Sequence, residues 1–408
     1  MVLLLGLGAC GSDRSTRPPA PAPKGPALGL TEDNAWLLMS PASAPADAFS
    51  RARRELSALR PSFVRLLIDW AALQPRAGRP PDLSAMVDGC ARQTGPCRAY
   101  AGVRAELAAI SSRQRAAEAG AGAPFQVLVD ILGTPAWAAA PPSGCDLPGT
   151  ASTARAPSGG AIADYRALIA SLVALARSQG VALRWWSPWN EPNNPRFLEP
   201  QRARCEAGSS PLAPASYAEL ARAMAAELHR QDPGAELVLG ELAGVSSDSP
   251  HATSISSFLG ALPAEVLCLG PVWSVHAYAS YGPGASRAEP VAAMQAALDA
   301  RGGCGARSPV WVTEAGAGAP RAGEARTSSA GEEVEGCRAL ASQLQRWSAD
   351  PRVGAVFQYS FREDPAYPVG LLSADLRHLY PAYRLWLSFS QRREQGEPPA
   401  PPPTACGP

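Results

Sequence analysis

Read along its length, the chain alternates short apolar runs with longer stretches whose apolar residues recur every three or four positions. The short runs at Ala27–Leu30, Phe63–Ile68, Gln126–Ile131, Leu183–Ser187, Glu236–Leu239, Val272–Val275, Pro309–Thr313 and Ala355–Tyr359 predict buried strands. Pro45–Leu59, Val103–Ala119, Ile162–Gln179, Pro214–Gln231, Val291–Ala300 and Glu332–Ala349 predict helices. Within Ile162–Gln179, the residues Ile162, Tyr165, Ile169, Leu172, Val173 and Ala176 fall on one stripe, as in a helix covering a sheet. Strands and helices in this alternation predict an α/β fold, a single (β/α)8 (TIM) barrel with long disulfide-stapled loops over residues 27–390. A doubly wound sheet is the rival, but no G-x-G-x-x-G follows the first strand to support nucleotide binding.

The two ends differ from this pattern. Val2–Ala9 is apolar but far shorter than the roughly 20 residues that cross a bilayer, and Cys10-Gly11 follows it. Residues 1–10 resemble a bacterial lipoprotein signal lacking its basic leader, and the resemblance implies a lipid anchor at Cys10. Residues 11–26 read as a Pro/Ala-rich linker and 391–408 as a Pro-rich tail. Beyond Cys10 the cysteines are even in number and never spaced C-x-x-C, which favours disulfides over zinc. That in turn favours an extracytoplasmic protein, secreted or lipid-anchored at the bacterial cell surface. Cys90 with Cys97 would close a small loop and Cys145 with Cys205 would join two long ones; the other pairings stay open. A net charge of +1 argues against a nucleic-acid partner. The four histidines form no H-x-H or H-E-x-x-H, so no metal or other cofactor is expected, and a monomer is expected.

In such a barrel, loops at the C-terminal ends of the strands converge on the axis, and a site is built there. The second strand ends in VRLLIDWAALQP, presenting Arg65, Asp69 and Trp70, and the third in DILGTPAWA, presenting Trp137. The fourth ends in WWSPWNEPNNP, with Trp189, Asn190 and Glu191. Later strands end at Glu241, at His276 and Tyr278, at Glu314, and at Gln358, Tyr359 and Phe361. Asn-Glu-Pro alone is more often a turn than a site. Paired with Glu314, on the strand facing it across the barrel, it acquires a chemistry. Cleaving a glycosidic bond needs one carboxylic acid to protonate the leaving oxygen and a second carboxylate to attack, or to activate water.

Asn190-Glu191-Pro192 after one strand, followed by Thr313-Glu314-x-Gly316 after a later one, resembles the retaining glycoside hydrolases of clan A. The stretches VRLLIDWAALQP, GTPAWA, SPWNEPN and VHAY are most similar to family 39 and to cellulase-like family 5 members of that clan. The resemblance implies cleavage of a β-linked xyloside, glucoside or related plant or microbial glycan by double displacement through a glycosyl-enzyme intermediate. It implies Glu191 as acid/base, Glu314 as nucleophile, Asn190 on the sugar 2-hydroxyl, Tyr278 orienting Glu314, and Arg65 pairing with it. Trp70, Trp137 and Trp189 offer flat faces for sugar rings, and His276 and Tyr359 are further candidates for contact with an oligosaccharide or polysaccharide. Many clan members carry a tryptophan on strand eight; here Gln358, Tyr359 and Phe361 stand instead, leaving the first sugar open. Glu241 reads equally as a cap or a ligand, Asp69 as a loop cap, and Trp185, Trp273, Trp311 and Trp386 as packing residues. The alternative is a cell-surface carbohydrate-binding barrel without catalysis.

Overall fold

Parallel strands that alternate with helices can bury both faces only if the helices wrap the sheet, and a closed barrel does this without leaving an edge. The computed structural model describes residues 25–146, 149–282, 289–317, 326, 329–397 and 403–407. The lipoprotein-like segment with Cys10, and residues 11–24 of the linker, lie outside the described residues. The barrel runs β1 (Ala27–Thr31), β2 (Phe63–Asp69), β3 (Gln126–Leu132), β4 (Trp185–Ser187), β5 (Glu236–Leu242), β6 (Val272–His276), β7 (Val310–Ala315) and β8 (Val353–Tyr359). It closes where Ala27–Thr31 pairs with Ala355–Tyr359. Every predicted strand is present. β5 runs three residues past its expected end, so Glu241 is a strand residue, whereas β4 is only three residues long.

The strand period of two sorts the interior into layers. Phe63, Leu128, Val238, Val272, Trp311, Ala355 and Phe357, with Ala27 and Trp185, plug the N-terminal half of the barrel. Rings of Phe63 and Trp185 sit 5.0 and 4.9 Å from Trp311. Gly29 on β1 is required here, because a Cβ would overlap the Phe357 ring. Two positions further along β2, β3, β4, β6 and β7 come Arg65, Asp130, Ser187, Ser274 and Thr313, all at 0% exposure. The layer above an apolar plug is thus polar, and it forms the floor of the site.

Helices Ser50–Ala58, Gly102–Glu118, Ile162–Ser178, Ala213–Gln231, Pro290–Arg301 and Ala330–Ala349 match the predicted ones, the first beginning five residues late. Pro381–Glu394, after β8, has no counterpart in the expectations. Ile162–Ser178 buries Tyr165, Leu168, Ile169, Leu172, Val173, Leu175 and Ala176, close to the expected stripe. Disulfides Cys90–Cys97 and Cys145–Cys205 form as anticipated, joined by Cys268–Cys304 and Cys337–Cys406. The last pins the turn Pro403–Cys406 of the tail, with Cys406 at 0% exposure.

Candidate active site

Two glutamates at strand ends occupy backbone that non-glycine residues rarely adopt. Glu191 has φ 41° and Glu241 φ 50°, and such left-handed conformations persist only where surrounding contacts over-determine them. Those contacts are present. The Glu191 amide donates to the Glu241 carbonyl at 3.0 Å, and the Asn190 amide to the Ile131 carbonyl at 3.0 Å. Asn193 donates through Nδ2 to the carbonyls of Ala243 and Thr253 and accepts from the Ala243 amide, tying the loop after β4 to the loop after β5. The Tyr165 hydroxyl holds the Pro188 carbonyl, and Gln201 Nε2 holds that of Pro192. The polar residues of WNEPNNP therefore aim one carboxylate.

That carboxylate meets a network. Glu191 Oε1 lies 2.8 Å from His276 Nδ1, and Glu191 Oε2 accepts from Asn194 Nδ2 at 2.5 Å. The other ring nitrogen, Nε2 of His276, is 2.8 Å from Oε2 of Glu241. Arg65 donates to Glu314 Oε1 at 2.7 Å, to Asp130 Oδ2 at 2.6 Å and to Asn190 Oδ1 at 2.8 Å, and it pairs with Glu241 at 2.9 Å. The Tyr278 hydroxyl donates to Glu314 Oε2, so both oxygens of Glu314 are held. One oxygen each from Glu191 and Glu314 and a ring nitrogen of His276 lie within 4.8 Å of one another.

Burial sets the charges. Taking Arg65 out of water would lower its pKa, but Glu241, Asp130 and Glu314 outweigh that and hold the guanidinium more firmly protonated than usual. His276 follows the same logic: burial opposes its charge, while Glu314, Glu191 and Glu241 raise its pKa to about 10. Glu241 is held below the usual carboxylate range, because Arg65 and His276 overcome its burial. Asp130 goes the other way, pushed up by burial despite Arg65. Raised so far, His276 can donate from both nitrogens, to Glu191 and to Glu241, and Glu191, His276 and Glu314 are also close enough to surround a cation. A second such group, Cys145, Cys205 and His251, is spent on a disulfide.

A cavity of about 610 Å³ opens over this network. Asn190, Glu191, His276, Tyr278, Glu314 and Tyr359 line it, and Arg65 forms the buried floor beneath. Three of the expected residues do not reach it. Trp70 and Trp189 are at 0% exposure, donating to Gln74 Oε1 and the Phe197 carbonyl. Trp137 packs edge-on against Trp70 and donates to the Gln74 carbonyl. Trp70 and Trp189 are packed beneath the loops with no face open to a sugar, and Trp137 is half-buried and does not line this cavity. The aromatic faces lining the cavity are Phe197, Tyr278, Tyr359 and Tyr367, with Tyr278 and Tyr359 each packed edge-on against Tyr367. Asp69 caps the turn Trp70–Leu73, as expected.

Asp130, Asn194 and Tyr367 are not among the residues the chain singles out, and Glu241, open there between cap and ligand, sits against Arg65 and His276. Asp130 carried a usable signal, a lone carboxylate within the apolar strand VLVDIL. Tyr367 comes from a long loop after β8 with no such mark.

No protein-family model matches the chain, and no curated protein matches it. Solved structures do. GH5_18 from Streptomyces cattleya, in complex with GlcNAc, is 18% identical with a TM-score of 0.52, covering 92% of this chain and 81% of that one. A monomeric beta-xylosidase from Caulobacter crescentus CB15 is 16% identical (TM-score 0.52; 90% and 69% covered). A family 39 glycoside hydrolase from the gut symbiont Bacteroides cellulosilyticus WH2 is 15% identical (TM-score 0.51), covering 89% of this chain and 63% of that one. In fold, the chain resembles clan A glycoside hydrolases.

Proposed function

We propose that the protein is a retaining β-glycosidase with Glu191 as acid/base and Glu314 as nucleophile. The observation carrying this reading is the approach of the two carboxylates: one oxygen of each lies within 4.8 Å of the other. Direct attack uses carboxyl groups about 5–5.5 Å apart, whereas an inverting enzyme needs about 6.5–9.5 Å to seat a water.

The contacts around each group fit its role. Arg65 and Tyr278 hold Glu314 at both oxygens, aiming it at the anomeric carbon. As the new bond from Glu314 to that carbon forms, the glycosidic C–O bond breaks, and Glu191 gives its proton to the leaving oxygen. Water then attacks the same carbon and loses its proton to Glu191, while the ester bond breaks and returns Glu314 as a carboxylate. Two inversions leave the released sugar in its original configuration. Asn190 Oδ1 is fixed by Arg65, so its Nδ2 is the group available to the sugar 2-hydroxyl. His276, between Glu191 and Glu241, holds the acid/base in place. The substrate is an oligosaccharide or polysaccharide with a β-linked xyloside, glucoside or related sugar. Four disulfides are compatible with an extracytoplasmic setting.

A panel of aryl β-glycosides and β-glycans, with the product anomer followed by NMR, tests this. The first-formed product should be the β-anomer. Glu314→Ala should abolish turnover, and added azide should restore it with formation of an α-glycosyl azide. Glycan binding without any product from the wild-type protein would replace the reading with a carbohydrate-binding barrel.

A further inference from the structure

A second cavity, of about 280 Å³, lies at the ends of β1, β2 and β8. It shares Leu67, Arg92, Tyr359 and Asp364 with the catalytic cavity. The two are one groove, divided by the Tyr359 ring and the Arg92–Asp364 ion pair at 2.7 Å. In a closed barrel β8 faces β4 and β1 faces β5, so this end of the groove lies across from Glu191. The leaving group departs at Glu191; the sugar that Glu314 attacks therefore extends toward the second cavity.

The lining of that cavity has unmet hydrogen-bonding capacity. Thr31 is at 1% exposure and its Oγ1, without a partner, is sealed beneath the lining and out of reach of a ligand. The Asp33 carboxylate also lines the cavity, and among the described residues no hydrogen bond or ion pair engages it. Its neighbour Glu32 differs, accepting from the amides of Asn34 and Arg362. Cations nearby are already spent. Arg362 donates to the carbonyls of Gly89, Ala374, Thr94 and Pro96, and Arg92 pairs with Asp364. On the rim, Val87 is 38% exposed beside Met86 at 69%, large apolar side chains left open to solvent.

We propose, resting on the glycosidase reading above, that this cavity is a second sugar subsite on the glycone side of the cleavage point. Asp33 receives hydroxyl donors from the ring, and Val87 covers an apolar C–H face. The ligand is a donor-rich neutral sugar or an amino sugar, whose hydroxyls and ammonium suit an unpaired carboxylate; a uronic acid is excluded by Asp33 and Asp364. The preferred substrate therefore carries at least two sugars before the cleaved bond.

The experiment compares kcat/KM for 4-nitrophenyl β-cellobioside, β-xylobioside and β-mannobioside with the matching 4-nitrophenyl monosaccharides. The wild-type protein should favour one disaccharide over its monosaccharide by about tenfold or more. Asp33→Ala should lower that ratio about tenfold. Asp33→Asn keeps the shape, so if the alanine variant does not fold it supplies the same reading. A chitobiose-type aryl glycoside lacking its acetyl groups separates the sources: a drop in its ratio larger than that of the neutral sugars in Asp33→Asn identifies an amino sugar. A wild-type ratio near one, or a ratio unmoved by the Asp33 variants, overturns the subsite. Turnover of neither substrate class overturns the glycosidase reading instead.

Discussion

Nε2 of His276 lies 2.8 Å from Oε2 of Glu241, a carboxylate at 0% exposure behind the pair Glu191 and Glu314. Glu241 does not line the catalytic cavity, but it is one of three carboxylates that raise the His276 pKa. Glu241→Gln preserves the shape and removes the charge. The His276 pKa should then fall from about 10 toward its ordinary 6.5, and the alkaline limb of the kcat/KM profile should move to lower pH. Turnover at the optimum should drop about 10–100-fold, as for other buried positioning partners. An NMR titration of His276 that still ends near 10 in the variant would count against this role.

Arg65, at 0% exposure, faces three carboxylates. Arg65→Met removes the guanidinium shared by Asp130, Glu241 and Glu314, and the expected loss is about 3–5 kcal/mol in urea unfolding. Arg65→Lys keeps the charge but not the fork that reaches Asp130, Asn190 and Glu314 together. It should fold better than Arg65→Met while turning over far more slowly than wild type. Equal stability of all three proteins would refute the account.

Stability should decline with rising pH above mild acidity. Burial, aided by Asp33, raises Glu32 from 4.5 to about 7, and His276 rises from 6.5 to about 10. For groups raised in the folded state, stabilisation is full below the unfolded pKa and is lost as pH climbs through the folded one. Glu32 thus gives a loss between 4.5 and about 7, and His276 a further loss from 6.5 to about 10. Asp47 and Asp248, both lowered, keep their contributions above their ordinary 3.8. Urea midpoints should be highest near pH 5, and Glu32→Gln should flatten the step between pH 5 and 7.

The Cys145–Cys205 bridge joins the loop after β3 to the loop after β4, closing 60 residues of chain. Chain entropy assigns such a closure about 4 kcal/mol. Replacing both cysteines by serine should lower the unfolding free energy by up to that amount. Arg202, which clamps the carbonyls of Ser249 and Ser209 nearby, remains in place. KM should therefore rise more than kcat falls; a collapse of kcat with unchanged KM would show that the bridge shapes the catalytic pair itself.

Much of this protein could be read from the linear chain. Strand period and helix period are local, so the eight strands and the helix Ile162–Ser178 emerged close to their observed bounds. Glu191, Asn190, Glu314, His276 and Tyr278 could be found because the barrel rule converts position at a strand end into position at the cavity. What spacing could not supply was which way a side chain faces once the loop bends. Trp70 and Trp189 lie in the right segments, but their rings turn into the packing beneath the loops, where apolar area is removed from water. Glu241 could not be told from a surface cap until β5 ran on to Leu242 and turned it inward against Arg65 and His276. The raised pKa of His276, likewise, belongs to no single residue; it arises from carboxylates on the loop after β4, on β5 and on β7, which meet only in the closed barrel.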